Sequence, residues 1–213
     1  FLARVLAPAS LVAIAAATES RGLIATAGLG GFAGALAGFV ALDFVIYAQH
    51  VVFHRVPWLW RLHRVHHADL DLDVTTGLRF HPIEILISFA IKAAAIAVLG
   101  VPAWAVLAFE VALNALALFN HANVSLPDAI EPALRLAVVT PQMHEIHHLV
   151  EPSDTNSNFG FNLSLWDRLF RTYRASPTRE GPPVIGLAEF RSDGEARLDR
   201  LLTQPFRNDP GSA

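Results

Sequence analysis

The sequence contains no cysteine, and only 16% of its 213 residues are charged. The absence of cysteine excludes a disulfide framework and any metal site or iron–sulfur cluster that needs thiolate ligands. Soluble domains carry about 25% charged residues, whereas this chain combines its low charge with 53% hydrophobic residues. The composition therefore indicates a membrane protein. The net charge of −3 gives no reason to expect a nucleic acid as a partner.

Four apolar stretches precede residue 120, at positions 5–17, 23–47, 83–99 and 102–119. A helix needs about 20 residues to cross a bilayer, and about 17 is the lower limit. The second stretch is long enough, the third and fourth are at the limit, and the first is short. We therefore predict an all-α membrane bundle of about four transmembrane helices.

The third and fourth stretches are predicted to form a hairpin, because Gly100, Val101 and Pro102 make a tight break between them. Lys92 and Glu110 lie at equal distances on either side of this break. A lone charge inside a membrane is costly, so we expect these two side chains to pair. The Lys92 ammonium could instead extend toward the interface.

The hairpin also determines which residues share one face of the membrane. It returns the chain to the side from which it entered, so the histidines before and after it are predicted on the same side. Of the 16 lysines and arginines, only Arg21 is predicted in a loop on the opposite side and Lys92 within a span. Arg4 belongs to the histidine side if the first stretch spans. Because lysine and arginine concentrate in cytoplasmic loops, we predict that the histidine face is cytoplasmic.

The ten histidines of the chain fall into a few short segments, most with spacings of three or four residues. Such spacings place side chains on one face of a helix. One tetrahedral zinc ion takes four ligands, so ten imidazoles suit two metal ions, and ligation by nitrogen fits iron, zinc or copper. His81 and His121 stand alone and are included because both lie at the predicted membrane boundary. The candidate ligands are His50, His54, His63, His66, His67, His81, His121, His144, His147 and His148.

Two other classes of protein would use part of this pattern. The segment from His144 to His148 matches H-E-x-x-H, in which the histidines bind zinc and the glutamate, here Glu145, is the general base of a metalloprotease. An intramembrane zinc protease needs only one further ligand, however, and leaves the other histidines unexplained. A non-catalytic metal- or haem-binding membrane protein would use two to four histidines facing each other within the bilayer. The histidines of this chain lie at the ends of the predicted spans and beyond them.

Two metal ions at a membrane surface suit the oxidation of lipids. An unactivated C–H bond in a lipid needs a strong oxidant, which iron and O2 together supply. Nitrogen ligands leave coordination positions open for O2 and substrate. An oxidoreductase with two iron ions and with O2 as co-substrate is thus one use of such a site, and zinc could substitute for iron in an expressed protein.

The chain from about His50 to Arg174 resembles the fatty acid hydroxylase/sterol desaturase superfamily of membrane di-iron oxygenases. The resemblance is carried, in this order, by QHVVFHR, RLHRVHH, RFHPIE, FNHANV and TPQMHEIHHLVEPSDTNSNFGFNLSLWDRLFRTYR. It implies a helical membrane domain with a cytoplasmic catalytic cap, in which all ten histidines are candidate ligands of two irons. It also implies that the protein hydroxylates or desaturates a lipid taken from the bilayer, such as a fatty acyl chain or a sterol.

A few polar residues near the histidine motifs are candidates for orienting the imidazoles. They are Glu145, Asp69, Asp154 and Asn158, and for the three carboxylates a solvated loop or helix-end position is an equally good interpretation. Trp166 and Asp167 are expected to hold the cap together rather than to touch substrate.

The remaining expectations concern electrons and domains. The chain has no cysteine for an iron–sulfur cluster and no glycine-rich nucleotide-binding loop, so a separate electron donor is implied, such as a ferredoxin, a cytochrome or a reductase. We predict one membrane-embedded catalytic domain at residues 1–175. Residues 176–213 are rich in proline, glycine and charge, and are predicted to form a cytoplasmic tail with little core of its own.

Overall fold

The computed structural model describes residues 2–208, and this part of the chain is helical. It contains no extended strand; two isolated bridges pair Val138 with Leu163 and Leu149 with Ile185. Short 3₁₀ turns occur at His66–Ala68, Thr76–Leu78, Asp193–Ala196 and Gln204–Phe206. The α-helices are α1 Leu2–Thr18, α2 Leu23–Thr26, α3 Gly31–Arg55, α4 Pro57–His63, α5 Pro82–Leu99, α6 Ala103–Asn120, α7 Glu131–Leu134, α8 Pro141–His147, α9 Pro152–Thr155, α10 Leu165–Leu169 and α11 Leu198–Thr203.

Three of the helices described, α3, α5 and α6, are long and apolar enough to cross a membrane. They contain 25, 18 and 18 residues, and α1 contains 17. Only 11% of the apolar part of α5 is buried within the protein, as expected for a helix whose side chains contact lipid. The all-helical membrane fold is thus confirmed, with three clear candidate spans and α1 at the lower limit of length.

The second apolar stretch differs from the prediction, because it does not form one helix from residue 23 to residue 47. The short helix α2 ends at Thr26, and α3 begins only at Gly31. Gly28 has φ 71° and Gly31 has φ 56°, and this left-handed conformation interrupts a right-handed helix. The span is therefore shifted toward the histidines and continues through His50 and His54 to Arg55.

The predicted hairpin of α5 and α6 is confirmed. Gly100 has φ 66°, and a Cβ atom at this position would lie 2.7 Å from the Cα atom of Gly22, so the turn requires glycine. The Lys92 ammonium and the Glu110 carboxylate form the predicted pair, with Nζ 2.6 Å from Oε1, and both side chains are almost completely buried. Each charge is thus compensated within an apolar segment.

The chain divides into two compact units, and the boundary falls within α3, α5 and α6. The first unit contains the described residues up to Gln49 together with Ile85–Ala115. Its core is aliphatic and aromatic, with Leu11, Ile96 and Phe109 fully buried. The second unit contains His50–Glu84 and the residues from Leu116 onward, and it carries all ten histidines. Its core is largely polar, because most of its largest fully buried side chains are histidines.

The residues after position 175 are attached to the second unit by specific hydrogen bonds. The backbone N–H of Val150 donates to Val184 O, and that of Gly186 donates to His148 O, each at 2.9 Å. Further along, the Arg64 guanidinium donates to Gln204 O at 2.6 Å. The end of the predicted tail, residues 209–213, lies outside the described residues.

We expect Glu110→Leu to destabilise the protein, because it leaves the Lys92 ammonium buried without a counter-charge. Removing one partner of a buried pair typically costs about 3–5 kcal/mol, whereas replacing both with apolar residues is often neutral. Thermal unfolding in detergent, followed by circular dichroism, measures the effect. The double variant Lys92→Met/Glu110→Leu is the control and should unfold nearer to the wild type. A double variant no more stable than Glu110→Leu would contradict the pairing argument.

Candidate metal centre

Nine of the ten histidines converge in two groups. Within each group, one ring nitrogen of every member lies within 4.8 Å of those of the other members. All nine side chains are buried except that of His54, which is half-buried. The first group has five members and the second has four. The first group is His50, His54, His63, His67 and His147, and the second is His66, His121, His144 and His148.

The helices and turns that carry these side chains explain the convergence. His50 and His54 lie one turn apart near the end of α3, and His121 directly follows α6. The two His-x2-His-His motifs each divide their members between the groups. In the first motif His66 belongs to the second group and its neighbour His67 to the first. In the other motif His147 belongs to the first group and His148 to the second.

The Nε2 atoms approach one another closely. In the first group the Nε2 atoms of His50 and His63 are 3.1 Å apart. In the second group, Nε2 of His121 lies 3.1 Å from Nε2 of His66 and 3.0 Å from Nε2 of His144. Nε2 of His144 and Nε2 of His148 are 3.2 Å apart.

The hydrogen-bond partner of Nδ1 shows which nitrogen of each ring carries the proton. Nδ1 of His66 lies 3.1 Å from Thr76 O, and Nδ1 of His121 lies 2.6 Å from Ala117 O. A carbonyl oxygen only accepts hydrogen bonds, so each Nδ1 must be the donor. In a neutral imidazole Nε2 then has no proton and carries a lone pair. The Nε2 lone pairs of His66 and His121 therefore face each other, which is repulsive unless a cation lies between them.

The first group has the same arrangement. Nδ1 of His50 donates to Phe159 O at 2.9 Å, and Nδ1 of His147 donates to Ser157 O at 2.7 Å. Nδ1 of His63 donates to the Glu84 carboxylate at 2.7 Å. Nε2 of His147 is buried without a hydrogen-bond partner, as are Nε2 of His67 and both ring nitrogens of His54. Buried polar atoms without partners are rare in proteins and call for a bound group.

Protonation of the imidazoles does not supply the missing cation. Burial lowers the pKa of His147 to about 3. Burial, reinforced by the neighbouring imidazoles of the cluster, lowers the pKa values of His66, His67, His144 and His148 well below the ordinary value for histidine. These five rings are therefore neutral at physiological pH, and a metal ion is the cation that their lone pairs fit.

The spacing of the nitrogens also fits a metal ion. Two nitrogens bound to one ion at about 2.1 Å are about 3.0 Å apart at a right angle and about 3.4 Å apart at the tetrahedral angle. The observed Nε2 separations of 3.0 to 3.2 Å fall within this range.

His81 is the one predicted ligand that lies outside both groups. Its Nε2 is 3.2 Å from Leu202 O, and its Nδ1 accepts from the backbone N–H of Ile83. Both ring nitrogens thus have protein partners, so His81 connects the start of α5 to α11.

Of the other predicted residues, Asp69 and Asn158 support the imidazoles indirectly. The Asp69 carboxylate accepts from the Thr76 hydroxyl at 2.6 Å, and the carbonyl of Thr76 accepts from His66. The Asn158 side chain donates to Met143 O at 2.9 Å and accepts from the backbone N–H of Arg174 at 2.8 Å. Asn158 has φ 51° and lies between Ser157 and Phe159, whose carbonyls accept from His147 and His50.

Asp154 and Glu145 do not contact the histidine rings. Asp154 is completely buried and pairs with Arg174 at 3.2 Å and with the backbone N–H of Thr178 at 3.0 Å. Glu145 lines a cavity of about 330 Å³ that Arg135, Gln142 and Val184 also line, and no histidine is among the cavity's described walls. Burial raises the pKa of the Glu145 carboxyl.

Two further carboxylates have clear roles. The role of Asp167 in holding the cap together is confirmed, because its carboxylate accepts from the backbone N–H groups of Phe159 and Gly160 at 2.8 and 2.7 Å. Glu84, which holds His63, was not among the predicted residues. A signal for it was present in the sequence, since Glu84 ends the RFHPIE motif in the first turn of α5.

Comparisons with known proteins agree with this site. The fatty acid hydroxylase family matches residues 35–172. Ornithine lipid hydroxylase OlsE of Rhizobium tropici is 32% identical over 169 residues, which are 79% of this chain and 49% of that protein. Alkylglycerol monooxygenase of Caenorhabditis elegans is 28% identical over 68% of this chain and 28% of its own length.

Cholesterol 25-hydroxylase of Rattus norvegicus is 27% identical over 63% of this chain and 45% of that protein. The chain thus spans about half or less of these relatives, and no solved structure matches it. The family match includes every histidine of both groups. The chain belongs to the fatty acid hydroxylase family.

Proposed function

We propose that this protein is an integral membrane oxidoreductase that uses two iron ions, O2 and external electrons to hydroxylate or desaturate a C–H bond of a lipid. The observation that carries the proposal is the pair of buried histidine groups in which Nε2 lone pairs face one another. The names of the relatives support the substrate class, since each names a hydroxylase or monooxygenase and a lipid. Fatty acyl, sterol and other hydrophobic substrates all fit this proposal.

We propose as ligands the nine grouped histidines, with Glu84, Ser157 and Phe159 as the partners that fix three of the rings. Two iron ions, when bound there, supply the activation of O2 that oxidation of an unactivated C–H bond requires. In five of the nine rings the chain holds Nε2 toward its group by binding the opposite nitrogen, Nδ1, to a carboxylate or carbonyl. Such partners raise the basicity of a ligand histidine and fix its orientation.

Hydroxylation of a C–H bond consumes one O2, two electrons and two protons, and yields an alcohol and water. The electrons come from a separate donor, a ferredoxin, a cytochrome or a reductase. We further propose that residues 1–175 form the catalytic domain with residues 176–213 as its tail, and that the histidine face is cytoplasmic, as the distribution of lysine and arginine favours.

A zinc protease is supported less well by this geometry. The two metal-binding histidines of H-E-x-x-H, His144 and His148, are in one group, but Glu145 lines a cavity without a histidine among its described walls. A general base must lie within hydrogen-bond reach of the metal-bound water. A haem protein also fits less well, because the nine rings surround two compact centres rather than the two faces of a macrocycle.

The first prediction concerns metal content. The purified protein in detergent should hold about two iron ions per chain, as a two-metal site requires, and should show no Soret band. His66→Ala and His147→Ala should each lower the iron content measured by elemental analysis, since each removes a ligand from a different group. His81→Ala is the matched control and should retain the metal.

Full iron in both His66→Ala and His147→Ala would refute the ligand assignment. One zinc without iron would favour the protease. Two zinc ions would leave the two-metal site standing and indicate that zinc was loaded during expression.

The second prediction tests the partner of His63. Glu84→Gln keeps a hydrogen-bond acceptor but removes the negative charge beside Nδ1, so it should weaken metal binding about 10- to 100-fold. Competition with a chelator of known affinity measures the change. Glu145→Gln is the matched control, because its carboxylate contacts no ligand histidine; equal losses in the two variants would contradict the proposed role of Glu84.

The third prediction concerns the reaction. The iron-loaded protein, given a membrane lipid extract, O2 and a chemical reductant, should convert a lipid to a product one oxygen atom heavier or two hydrogen atoms lighter. Mass spectrometry with isotopically labelled O2 detects the incorporated oxygen. Iron-loaded protein that leaves all lipid classes unchanged under reducing conditions would count against the function while leaving the metal site intact.

A further inference from the structure

A second cavity of the cap reaches the first histidine group. It has a volume of about 270 Å³, and His54 is the histidine among its walls. His54 is also the half-buried member of the two groups, whereas the other eight are buried. A molecule in this cavity therefore meets a ligand of the first group and none of the second.

The indole of Trp60 is both a wall of this cavity and a neighbour of the first histidine group. Trp60 lines the cavity, and its ring centroid lies 4.8 Å from that of His54 and 5.4 Å from that of His67. It is thus in van der Waals contact with two rings of the first group. A smaller side chain at this position would join the cavity to the space around those rings.

The outer wall of the cavity comes from the segment after residue 175. Gly186, Leu187, Ala188 and Glu189 line it, and the backbone N–H of Gly186 donates to the carbonyl of His148. Gly186 has φ 98°, and a Cβ atom there would lie 2.7 Å from Asp69 O, so this wall depends on glycine. The segment is therefore hydrogen-bonded to His148 of the second group, while it forms a wall of the cavity at His54 of the first group.

The walls of the cavity are partly polar and charged. Asn156 and Thr155 line it together with Arg64 and Glu189, whose side chains lie 3.8 Å apart and form an ion pair. Half of the Glu189 side chain is exposed, and Ala188 is exposed as well. Charged side chains at an opening are stable in water and costly in lipid, so this opening faces water.

We propose that this cavity is the water-side entrance to the first metal site, by which small water-soluble molecules reach the metal held by His54, and that Trp60 limits the passage. The proposal rests on the proposed function, because it requires a metal in the first group. It makes the two metal ions unequal: the ion in the first group exchanges with solutes from the water side, and the ion in the second group does so more slowly.

The test follows the release of iron from the full chain in detergent to ferrozine, a water-soluble chelator that becomes coloured on binding Fe(II). Two phases are expected, with one iron lost faster. Trp60→Ala should accelerate the fast phase about tenfold, which corresponds to about 1.4 kcal/mol in the barrier. Ala188→Trp, which fills the entrance, should slow the same phase by a similar factor.

Two matched controls separate the entrance from general loosening of the fold. Trp58→Ala removes a tryptophan from the same helix that is 62% exposed and does not line the cavity. Ala175→Trp fills the separate cavity that Glu145 lines. Both should release iron at the wild-type rates in both phases.

Equal release rates in the entrance variants and their controls would overturn the proposal, as would a change confined to the slow phase. A wild-type protein that binds no iron would refute the proposed function and the entrance with it. An iron-loaded protein whose two ions leave in one phase, unaffected by Ala188→Trp, would refute the entrance alone.

Discussion

The second unit depends on one electrostatic constraint, which is that neutral imidazoles present lone pairs to each other at about 3 Å. Hydrogen bonds from Nδ1 to carbonyl or carboxylate oxygens impose this orientation on His50, His63, His66, His121 and His147. Burial lowers the pKa values of His66 and His147 and keeps these rings uncharged. The fold thus places nine imidazoles where a polypeptide alone would be unstable, and a metal ion that binds there stabilises the fold.

The helices around the histidines follow from this constraint. Metal ligands need rigid backbone on several sides, and the chain supplies it from the ends of two long helices, α3 and α6, and from the short helices α4 and α8. The loop from Ser157 to Gly160 adds acceptors for two rings and is itself held by Asp167 and Asn158. A polar network of this kind is stable only when its members are satisfied together.

Much of this arrangement could be predicted from the sequence. Helical spacing identified the histidines, and the apolar stretches together with the break at Gly100 gave the hairpin and the pair of Lys92 and Glu110. The interruption near Gly28 was missed because hydropathy does not register backbone conformation, and glycines are common in spans. The partners of the histidines were harder to predict, since Thr76, Ala117, Ser157 and Phe159 act through backbone carbonyls, which any residue possesses. The position of His81 depends on a hydrogen bond to Leu202, 121 residues away in the chain.

The division of adjacent histidines between the two groups has a geometric consequence. His66 and His67 are neighbours in sequence, as are His147 and His148, and consecutive Cα atoms are about 3.8 Å apart whatever the surrounding packing. The peptide bonds between His66 and His67 and between His147 and His148 therefore link the two histidine groups covalently. The distance between the two histidine groups is thus limited by the covalent chain as well as by packing, so a movement of one group carries the other with it.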